Sequence, residues 1–346
     1  MRAVMVTPGV KDSLRLVDDA PEPSESEGAV LVEALAVGIC GTDREIISAE
    51  FGESPPGSDH LVLGHESLGR VLEDPTGTLR PGDLVAGIVR QPDPVPCPNC
   101  AVGEWDMCRN GKYTEHGIKA AHGFARERWR MPPDRLVRLD PALREVGVLL
   151  EPTSVVAKAW EHIERIGRRA LWEPRTVLVT GTGPIGLLAA LFAKQRDLDL
   201  HVLARGTSGL KPALVAQLGA RYHTGSAMDL DFEPDVVVEC TGVDSVVLDV
   251  MRKAGPDGVV CLLGVGTGEP RDGVDTSVFA RDIVLRNNAV FGSVNANRRH
   301  WTQGAEALGR ADAGWLSSLI TSRFRAKDYA QAYGAPGGEI KVVLEF

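Results

Sequence analysis

The hydrophobic residues in the first part of the chain fall in short runs that are separated by turn residues. Apolar and polar residues alternate over residues 29–37, glycines interrupt the apolar run over 61–71, and a third short run covers 82–89. Short runs of this kind, bounded by glycine and proline, are typical of β-strands joined by turns. The pattern predicts a small, irregular domain of the β-barrel type.

From about residue 176 the pattern changes to short apolar strands that alternate with helices. We expect strands over residues 176–180 and 200–204, with a helix over the breaker-free segment 185–194 between them. The same alternation continues over residues 235–240, 247–254, 259–263 and 289–293. Repeated βαβ units predict a doubly wound parallel sheet, so the fold class is α/β with a separate β-rich domain.

The rest of the chain does not extend this series. A helical segment is expected over residues 303–308, and the apolar strand over 340–346 is too isolated to join the βαβ units. We expect that strand to return to the first domain. A chain of 346 residues is also longer than one hydrophobic core usually serves, which favours two domains.

Composition and charge exclude several classes of protein. Hydrophobic residues make up 43% of the chain and charged residues 25%, the balance of an ordinary globular protein. The formal net charge of −9, with no Lys/Arg-rich block, gives no electrostatic support for a nucleic-acid or anionic-membrane partner. No apolar run is long enough for a signal peptide or a membrane span, so we expect a cytoplasmic protein.

A glycine-rich segment of the G-x-G-x-x-G type follows the strand at 176–180. Its residues are Gly181, Thr182, Gly183, Pro184, Ile185 and Gly186. The first glycine permits a tight turn, the second lets a pyrophosphate approach the backbone, and the third lets helix and strand pack closely. The segment therefore predicts a dinucleotide site, against the alternative of a glycine turn that binds no ligand.

The end of the next strand indicates which dinucleotide is bound. The acidic residue that would hold the ribose hydroxyls of NAD is missing after Ala204, and Arg205, Gly206, Thr207 and Ser208 follow instead. An arginine and two hydroxyls could bind a 2′-phosphate, so NADP is favoured and NAD is the alternative. Arg205 could also be only a solvated charge.

Two short motifs in the first domain carry metal-binding residue types. Cys40 lies in a glycine-rich turn, and His65 follows 25 residues later with Glu66 directly after it. Each motif alone is weak, but together, ahead of a dinucleotide fold, they favour a catalytic zinc site with a position left open for substrate. Thr42 could relay the released proton or could be a turn hydroxyl. Glu151 could reach the metal or could be only an acid at a helix start.

The motifs, taken in order, resemble those of the zinc-containing medium-chain dehydrogenases over almost the whole chain. They are G-I-C-G-T-D, L-G-H-E, E-P and G-T-G-P-I-G. The chain is more closely similar to microbial glucose dehydrogenases through C-P-N-C-A-V-G-E-W-D-M-C, E-H-G-I, H-G-F, G-S-V-N-A-N and G-E-I-K. The resemblance implies a GroES-like catalytic domain over residues 1–155 with a lobe loop at 92–110, a Rossmann domain over 156–296, and a return to the catalytic domain over 297–346.

The resemblance also implies roles for individual residues. The catalytic zinc would be held among Cys40, His65, Glu66 and Glu151, with Glu66 or water exchanging during the cycle. The sugar would contact Thr42, Glu115, Glu151 and Asn295, although the sequence alone suggests that Glu115 is merely an exposed acid. Besides the glycine loop, the cofactor would contact Ala204, Arg205, Gly206, Leu263, Gly264, Val265, Ser293, Val294 and Asn295.

The lobe loop departs from the pattern of many relatives, which carry four cysteines there. Cys97, Cys100 and Cys108 are present, and Pro94 stands where the other cysteine is expected. Three thiolates still suggest a structural zinc, and a closed site needs a fourth ligand, for which Asp93 or a neighbour could serve. The alternative is a metal-free loop with three buried thiols. Cys240 and Cys261 lie in apolar strands and are expected to pack in the core.

The leading hypothesis is an NADP-linked, zinc-dependent aldose 1-dehydrogenase that acts as a homodimer or homotetramer and binds neither nucleic acid nor membrane. In this reaction zinc would polarise the anomeric hydroxyl, Thr42 would pass its proton outward, and C1 would give a hydride to the nicotinamide, leaving a lactone. One alternative is the same chemistry on another alcohol or polyol. The other is a catalytically inactive, cofactor-binding protein.

Overall fold

The computed structural model of the chain describes residues 1–266, 276–335 and 337–346. These residues form two compact units. The first unit comprises Met1–Ser154 and Asn295–Phe346, and the second comprises Val155–Val294. The sequence placed the two boundaries after residues 155 and 296.

The strands and helices are short in the first unit and regular in the second. The strands are β1 Ala3–Val6, β2 Arg15–Val17, β3 Val30–Ile39, β4 Leu61–Val62, β5 Glu66–Glu73, β6 Leu84–Gly87, β7 Arg90–Gln91, β8 Thr114–His116, β9 Ala120–Ala121, β10 Arg128–Met131, β11 Leu136–Leu139, β12 Thr176–Thr180, β13 Asp199–Leu203, β14 Arg221–His223, β15 Val236–Glu239, β16 Val259–Leu262, β17 Ala289–Gly292, β18 Ile320–Arg325 and β19 Lys341–Glu345. The α-helices are α1 Gly41–Ile47, α2 Pro98–Ala101, α3 Leu150–Gly167, α4 Pro184–Lys194, α5 Leu210–Gln217, α6 Asp244–Lys253, α7 Thr276–Leu285, α8 Arg298–Gly309, α9 Ala313–Leu319 and α10 Tyr329–Tyr333.

The first unit is built on a sheet with the strand order β11-β6-β5-β3-β19-β18, in which β10 also pairs with β3. Alternate residues of β3 point into one core, and the buried Val30, Val32 and Ala34 pack there around Trp129. The late strand β19 pairs antiparallel with β3, so it returns to the first unit as the sequence predicted. Two smaller sheets, β2-β1-β4 and β7-β8-β9, complete the unit.

The second unit is a six-stranded parallel sheet with the order β14-β13-β12-β15-β16-β17. In the unit's own chain order this is the doubly wound order 3-2-1-4-5-6 of dinucleotide-binding folds. Its central strands are apolar on both faces, as Val236, Val237 and Val238 show by being fully buried, because helices cover both sides of such sheets. The predicted doubly wound parallel sheet is confirmed.

Several element bounds differ from those that the hydrophobic pattern predicted. Helix α3 begins at Leu150, and Glu151 lies in its first turn. Helix α8 begins at Arg298, well before residue 303, because the Asn297 side chain caps it by accepting a hydrogen bond from the Arg299 amide at 3.2 Å. Within the described residues, no helix is both long and apolar enough to cross a membrane.

Candidate active site

Cys40, His65 and Glu66 come together at one end of the main sheet of the first unit. Cys40 follows β3, and Glu66 is the first residue of β5, whose register pairs Glu66 with Gly38. Gly64 turns the chain before His65 with a φ of +85°, in the left-handed region that favours glycine. One ligand atom from each of the three side chains lies within 4.8 Å of the others.

Asp43 supports this cluster from the first turn of α1. Its Oδ2 accepts a hydrogen bond from the Cys40 backbone amide at 2.9 Å, and its Oδ1 lies 3.5 Å from His65 Nδ1. Because Asp43 approaches Nδ1, the other ring nitrogen of His65 remains for a metal. Burial would lower the pKa of His65, but the Asp43 charge and the Cys40 thiol outweigh burial and raise that pKa well above its usual range.

Lys341 is a member of the site that the sequence analysis did not predict. Its Nζ lies 2.6 Å from Glu66 Oε1 and 2.5 Å from Oε2, and it also donates to the Ile39 carbonyl at 3.3 Å. Lys341 and Glu66 are 2% and 1% exposed, so the ion pair is fully buried. Burial would lower the pKa of Lys341, but the charge of Glu66 outweighs burial and raises it. Glu66 is therefore already a partner of a fixed cation.

The charged groups around the cluster affect the pKa of Glu151, although Glu151 is not one of the three clustered residues. Burial and the neighbouring Glu66 carboxylate raise the pKa of Glu151 to about 7, against the opposing effect of His65 and Lys341. A half-buried carboxyl with this environment could serve as a ligand or could contact the substrate.

The composition of the cluster fits a zinc ion. It offers a thiol, an imidazole and a carboxylate, the mixed donor set that zinc accepts, with a second carboxylate nearby. Within the described part of the chain, the buried Asp43 Oδ1 and His65 Nδ1 have no hydrogen-bond partner, and the 3.5 Å between them is an ionic contact. Buried acids that outnumber their cations leave a negative site, which a divalent cation would neutralise.

Glu115 is buried, which corrects the expectation from the sequence that it is an exposed acid. It is 7% exposed and pairs in register with Arg90 across β7 and β8. Its Oε1 accepts from Arg90 Nε at 2.9 Å and from Asn295 Nδ2 at 2.7 Å. Both bonds end on Oε1, so Oε2 has no partner among the residues that the structure describes.

Thr42 and Asn295 are the other two residues that the resemblance assigned to the sugar. Thr42 is the second residue of α1, half-buried and next to Asp43. Asn295 has a φ of +62°, and its Oδ1 accepts from the Ala296 amide at 2.7 Å while its Nδ2 reaches Glu115. The strained backbone of Asn295 is thus held by both ends of its own side chain.

The three lobe cysteines form a second cluster. The sulfurs of Cys97, Cys100 and Cys108 lie within 4.8 Å of one another. The Arg109 amide donates to Cys97 Sγ at 3.3 Å, and this bond is the largest of the effects that lower the pKa of Cys97 to about 6. The carboxylate of Asp93 is not in this cluster, and its two oxygens accept from the Val95 amide at 2.9 Å and from Asn110 Nδ2 at 2.8 Å.

The glycine loop of the second unit has the geometry that the sequence predicted for a dinucleotide site. Gly181 has a φ of +89°, and a Cβ on Gly186 would lie 2.1 Å from the Gly181 carbonyl oxygen. A Cβ on Gly183 would meet no atom of the other described residues within 4 Å, apart from its chain neighbours, so among these residues the space beside the second glycine is open. Gly183 caps α4 without a side-chain hydrogen bond, which leaves first-turn amides for a phosphate.

The residues at the end of β13 are arranged for contact with solvent or ligand. Arg205 is exposed and has neither a hydrogen bond nor an ion pair within the described part of the chain. Tyr222 fixes the backbone beside it by donating to the Gly206 carbonyl at 2.6 Å. Ser293, another residue predicted to contact the cofactor, follows β17, and its buried Oγ has no hydrogen-bond partner among the described residues.

Glu239 is a second buried acid that the sequence analysis did not predict. It ends β15, is fully buried, and accepts from the Thr241 amide at 2.7 Å and the Gly242 amide at 3.1 Å. Its backbone carbonyl also accepts from the amides of Leu263 and Gly264 at 2.8 and 3.1 Å. Glu239 thereby organises the two loops beside the glycine loop. Cys240 follows this strand rather than lying in it, whereas Cys261 is buried in β16 as expected.

Comparison with known proteins places the whole chain among one group of dehydrogenases. A family model described as "Alcohol dehydrogenase GroES-like domain" matches residues 26–141, and one described as "Glucose dehydrogenase C-terminus" matches residues 144–346. A glucose 1-dehydrogenase of Caldivirga maquilingensis is 42% identical, and one of Thermoproteus tenax is 41% identical. In both cases the match covers 100% of this chain and 99% of the relative. The crystal structure of Haloferax mediterranei glucose dehydrogenase in complex with NADP, Zn and gluconolactone has a TM-score of 0.92 and 31% identity, over 100% of this chain and 99% of that one.

Proposed function

The chain belongs to the glucose dehydrogenase family of zinc-dependent medium-chain dehydrogenases, and from this premise we propose which residues carry the reaction. The protein is an oxidoreductase that oxidises a glucose-like aldose at C1 to the lactone and transfers the hydride to NADP. The observation that carries the proposal is the cluster of Cys40, His65 and Glu66, with atoms within 4.8 Å of one another.

Cys40 and His65 would hold the catalytic zinc, with Glu66 or Glu151 as the carboxylate ligand. When bound, zinc supplies Lewis acidity that lowers the pKa of a substrate hydroxyl. Lys341 Nζ lies 2.5 Å from Glu66 Oε2, so Glu66 has a cationic partner even when it does not bind the metal. Asp43 keeps the His65 ring in the orientation that presents its free nitrogen.

Thr42 is the residue we assign to proton transfer. Its hydroxyl belongs to the first turn of α1, two residues after Cys40, and it is half-buried. A hydroxyl can accept one proton and donate another, so Thr42 can pass the proton of the anomeric hydroxyl towards solvent.

Glu115, Glu151 and Asn295 are the residues we assign to the sugar. Glu115 Oε2 is the acceptor left over once Arg90 and Asn295 have bonded Oε1. A charge-assisted hydrogen bond from a sugar hydroxyl to this oxygen would fix the ring in one orientation. Proper orientation of C1 is the main requirement for hydride transfer.

The cofactor would bind on the second unit. The residues from Gly181 to Gly186 and the first turn of α4 would receive the pyrophosphate, because the second glycine leaves open space and the helix amides are uncapped. The loops at 204–206, 263–265 and 293–295 would contact the rest of the dinucleotide. The absence of an acid after β13 and the exposed Arg205 favour NADP.

A substrate panel tests the function. Purified, zinc-loaded protein should reduce NADP with glucose or a closely related aldose, and the product should be a lactone that hydrolyses to the acid. Activity should disappear on chelation and return with zinc. A preference for secondary alcohols or polyols would identify the same chemistry on another substrate, and NADP binding without turnover on any alcohol would identify a catalytically inactive binder.

Replacing Arg205 tests the choice of cofactor. A hydrogen bond to a charged group contributes about 1.5 to 3 kcal/mol, roughly ten- to hundredfold in affinity. Arg205→Ala should therefore raise the Kd for NADP by about this factor and leave that for NAD nearly unchanged. Arg252→Ala is the control, since Arg252 is an arginine on α6 of the same unit that is ion-paired with Asp282 on α7. Equal losses for both cofactors would mean that Arg205 holds the adenine or the loop, and a wild-type preference for NAD would overturn the assignment of NADP.

We also propose that Cys97, Cys100 and Cys108 hold a second, structural zinc in the lobe. Their sulfurs are already clustered, and the lowered pKa of Cys97 favours the thiolate that binds metal. Because the Asp93 carboxylate is not in the cluster, we propose solvent or an external ligand for the fourth position. The protein is further proposed to be cytoplasmic and to form a homodimer or homotetramer, which light scattering would measure.

A further inference from the structure

Arg90 connects the proposed sugar-binding carboxylate to the lobe loop. Its guanidinium is buried, with the residue 6% exposed. Nε donates to Glu115 Oε1 at 2.9 Å, and one terminal nitrogen donates to the Asp106 backbone carbonyl at 3.0 Å. The Tyr113 ring lies against the guanidinium, 3.8 Å from its carbon to the ring centroid. Arg90 is thus fixed on three sides, and one of them is the lobe.

A second connection runs through the segment that begins α8. Asn297 donates from Nδ2 to Asp106 Oδ1 at 2.9 Å and to Glu104 Oε2 at 3.1 Å, and both acids belong to the lobe loop. Arg299 reinforces this contact through an ion pair with Glu104 at 2.7 Å. Two residues before Asn297, Asn295 holds Glu115 at 2.7 Å. The lobe and Glu115 are therefore joined to each other twice.

The network is buried, so its polar groups depend on one another for their hydrogen bonds. Glu115, Arg90, Asp106 and Asn297 are each less than a tenth exposed. A buried guanidinium that loses one partner leaves a donor or an acceptor without compensation, and the remaining side chains must move or admit water. Displacement of the lobe backbone at Asp106 would therefore displace Arg90, and with it Glu115.

We propose that the lobe loop sets the position of Glu115 through Arg90, so that Arg90 is a positioning residue for the sugar and the lobe is part of the sugar-binding apparatus. The inference rests on the proposed function, because it takes Glu115 to be a sugar ligand. It gives the lobe a role in substrate affinity in addition to the stability that a structural zinc provides. We expect no effect on cofactor binding, because none of the residues of this network belongs to the glycine loop.

The first experiment replaces Arg90 and measures KM and kcat for the best aldose and for NADP. Arg90→Met should raise the sugar KM about tenfold or more, the usual effect of losing a charged hydrogen bond, while the NADP KM stays unchanged. The sugar KM of Arg90→Lys should lie between those of the wild type and of Arg90→Met, because an ammonium can keep the charge but cannot make both bonds. Arg126→Met is the matched control, since Arg126 is also buried, 4% exposed, and ion-paired with Glu27 outside the network.

The second experiment disturbs the lobe side and leaves Arg90 and Glu115 intact. Asn297→Ser keeps a good helix cap for α8 but removes the amide donors to Asp106 and Glu104. It should raise the sugar KM severalfold with no change in the NADP KM or in zinc content. Because this variant keeps the cap, it stays informative even where Arg90→Met does not fold.

Glu115→Gln, alone and combined with Arg90→Met, tests separately whether Glu115 binds the sugar and whether Arg90 acts through Glu115. If Arg90 acts through Glu115, the double variant should have nearly the sugar KM of Glu115→Gln alone. No effect of Glu115→Gln on the sugar KM would mean that Glu115 is not a sugar ligand, and the site assignment under the proposed function fails. A raised sugar KM in Glu115→Gln together with unchanged kinetics in Arg90→Met and Asn297→Ser would overturn the positioning role. A double variant in which the two single effects on the sugar KM multiply would overturn it as well.

Discussion

Cys40→Ala and His65→Ala are expected to abolish turnover of the aldose while NADP binding survives. Both side chains belong to the proposed zinc site of the first unit, and the glycine loop belongs to the second unit. Lewis-acid stabilisation by a metal is worth several kcal/mol, so the rate should fall by about a thousandfold or more. Turnover with the best aldose and NADP binding by fluorescence titration measure the two effects separately.

Metal analysis of the same variants tests both zinc proposals. The wild-type chain should contain two zinc ions, and Cys40→Ala should contain one. Cys261→Ala is the control, because Cys261 is a buried core cysteine in β16 and should leave both zinc content and turnover intact. Unchanged turnover in a zinc-depleted Cys40→Ala protein would contradict the catalytic assignment, and one zinc in the wild type with none in Cys40→Ala would show that the lobe is empty.

Lys341→Met is expected to destabilise the zinc-free protein by about 3–5 kcal/mol, the usual cost of removing one partner from a buried ion pair. Glu66 would be left as a buried carboxylate without its cation, since Lys341 Nζ lies within 2.6 Å of both carboxylate oxygens. The free energy of unfolding in urea, compared for the zinc-free wild type and variant, measures this loss. In the zinc-loaded protein the loss should be smaller, because Glu66 can then pair with the metal instead.

A double variant provides the control for this result. Glu66→Gln/Lys341→Met replaces the ion pair by a neutral pair and should recover much of the stability that Lys341→Met loses. If the single and double variants unfold at the same urea concentration, the loss arises from packing of the lysine stem. Equal losses in the zinc-free and zinc-loaded proteins would argue that Glu66 does not exchange between Lys341 and a metal.

The parts of the site that depend on local sequence could be predicted, and those that depend on strand pairing could not. Each glycine of the dinucleotide loop has its reason within six consecutive residues, and the structure shows the expected close approach of Gly186 to Gly181. Lys341 is 275 residues from Glu66, and only the pairing of β19 with β3 and of β3 with β5 brings them together. A lysine in an apolar strand was a signal of a buried partner, but it did not identify that partner.

Glu115 also shows that the pattern of one segment does not reveal a partner on another strand. Its neighbours Thr114 and His116 are polar, so the local pattern predicted an exposed acid, and this was wrong. The cation that makes its burial tolerable is Arg90, which is opposite Glu115 in the pairing of β7 with β8. Burial of a charged residue depends on its partner, which the hydrophobic pattern of one segment does not contain.

The pairing of β19 with β3 also sets an order of events during synthesis. β3 leaves the ribosome early, but β19 follows only after the whole of the second unit has been translated. Until then β10 pairs only with residues 30–33 on this edge of β3, residues 36–39 expose their backbone groups to other nascent chains, and Glu66 lacks the lysine that compensates its charge. The second unit has its strands in one uninterrupted segment and can complete its sheet first. The second unit can therefore form before Lys341 completes the surroundings of Glu66, and we expect chaperone protection of the first unit to matter most in the interval between the two.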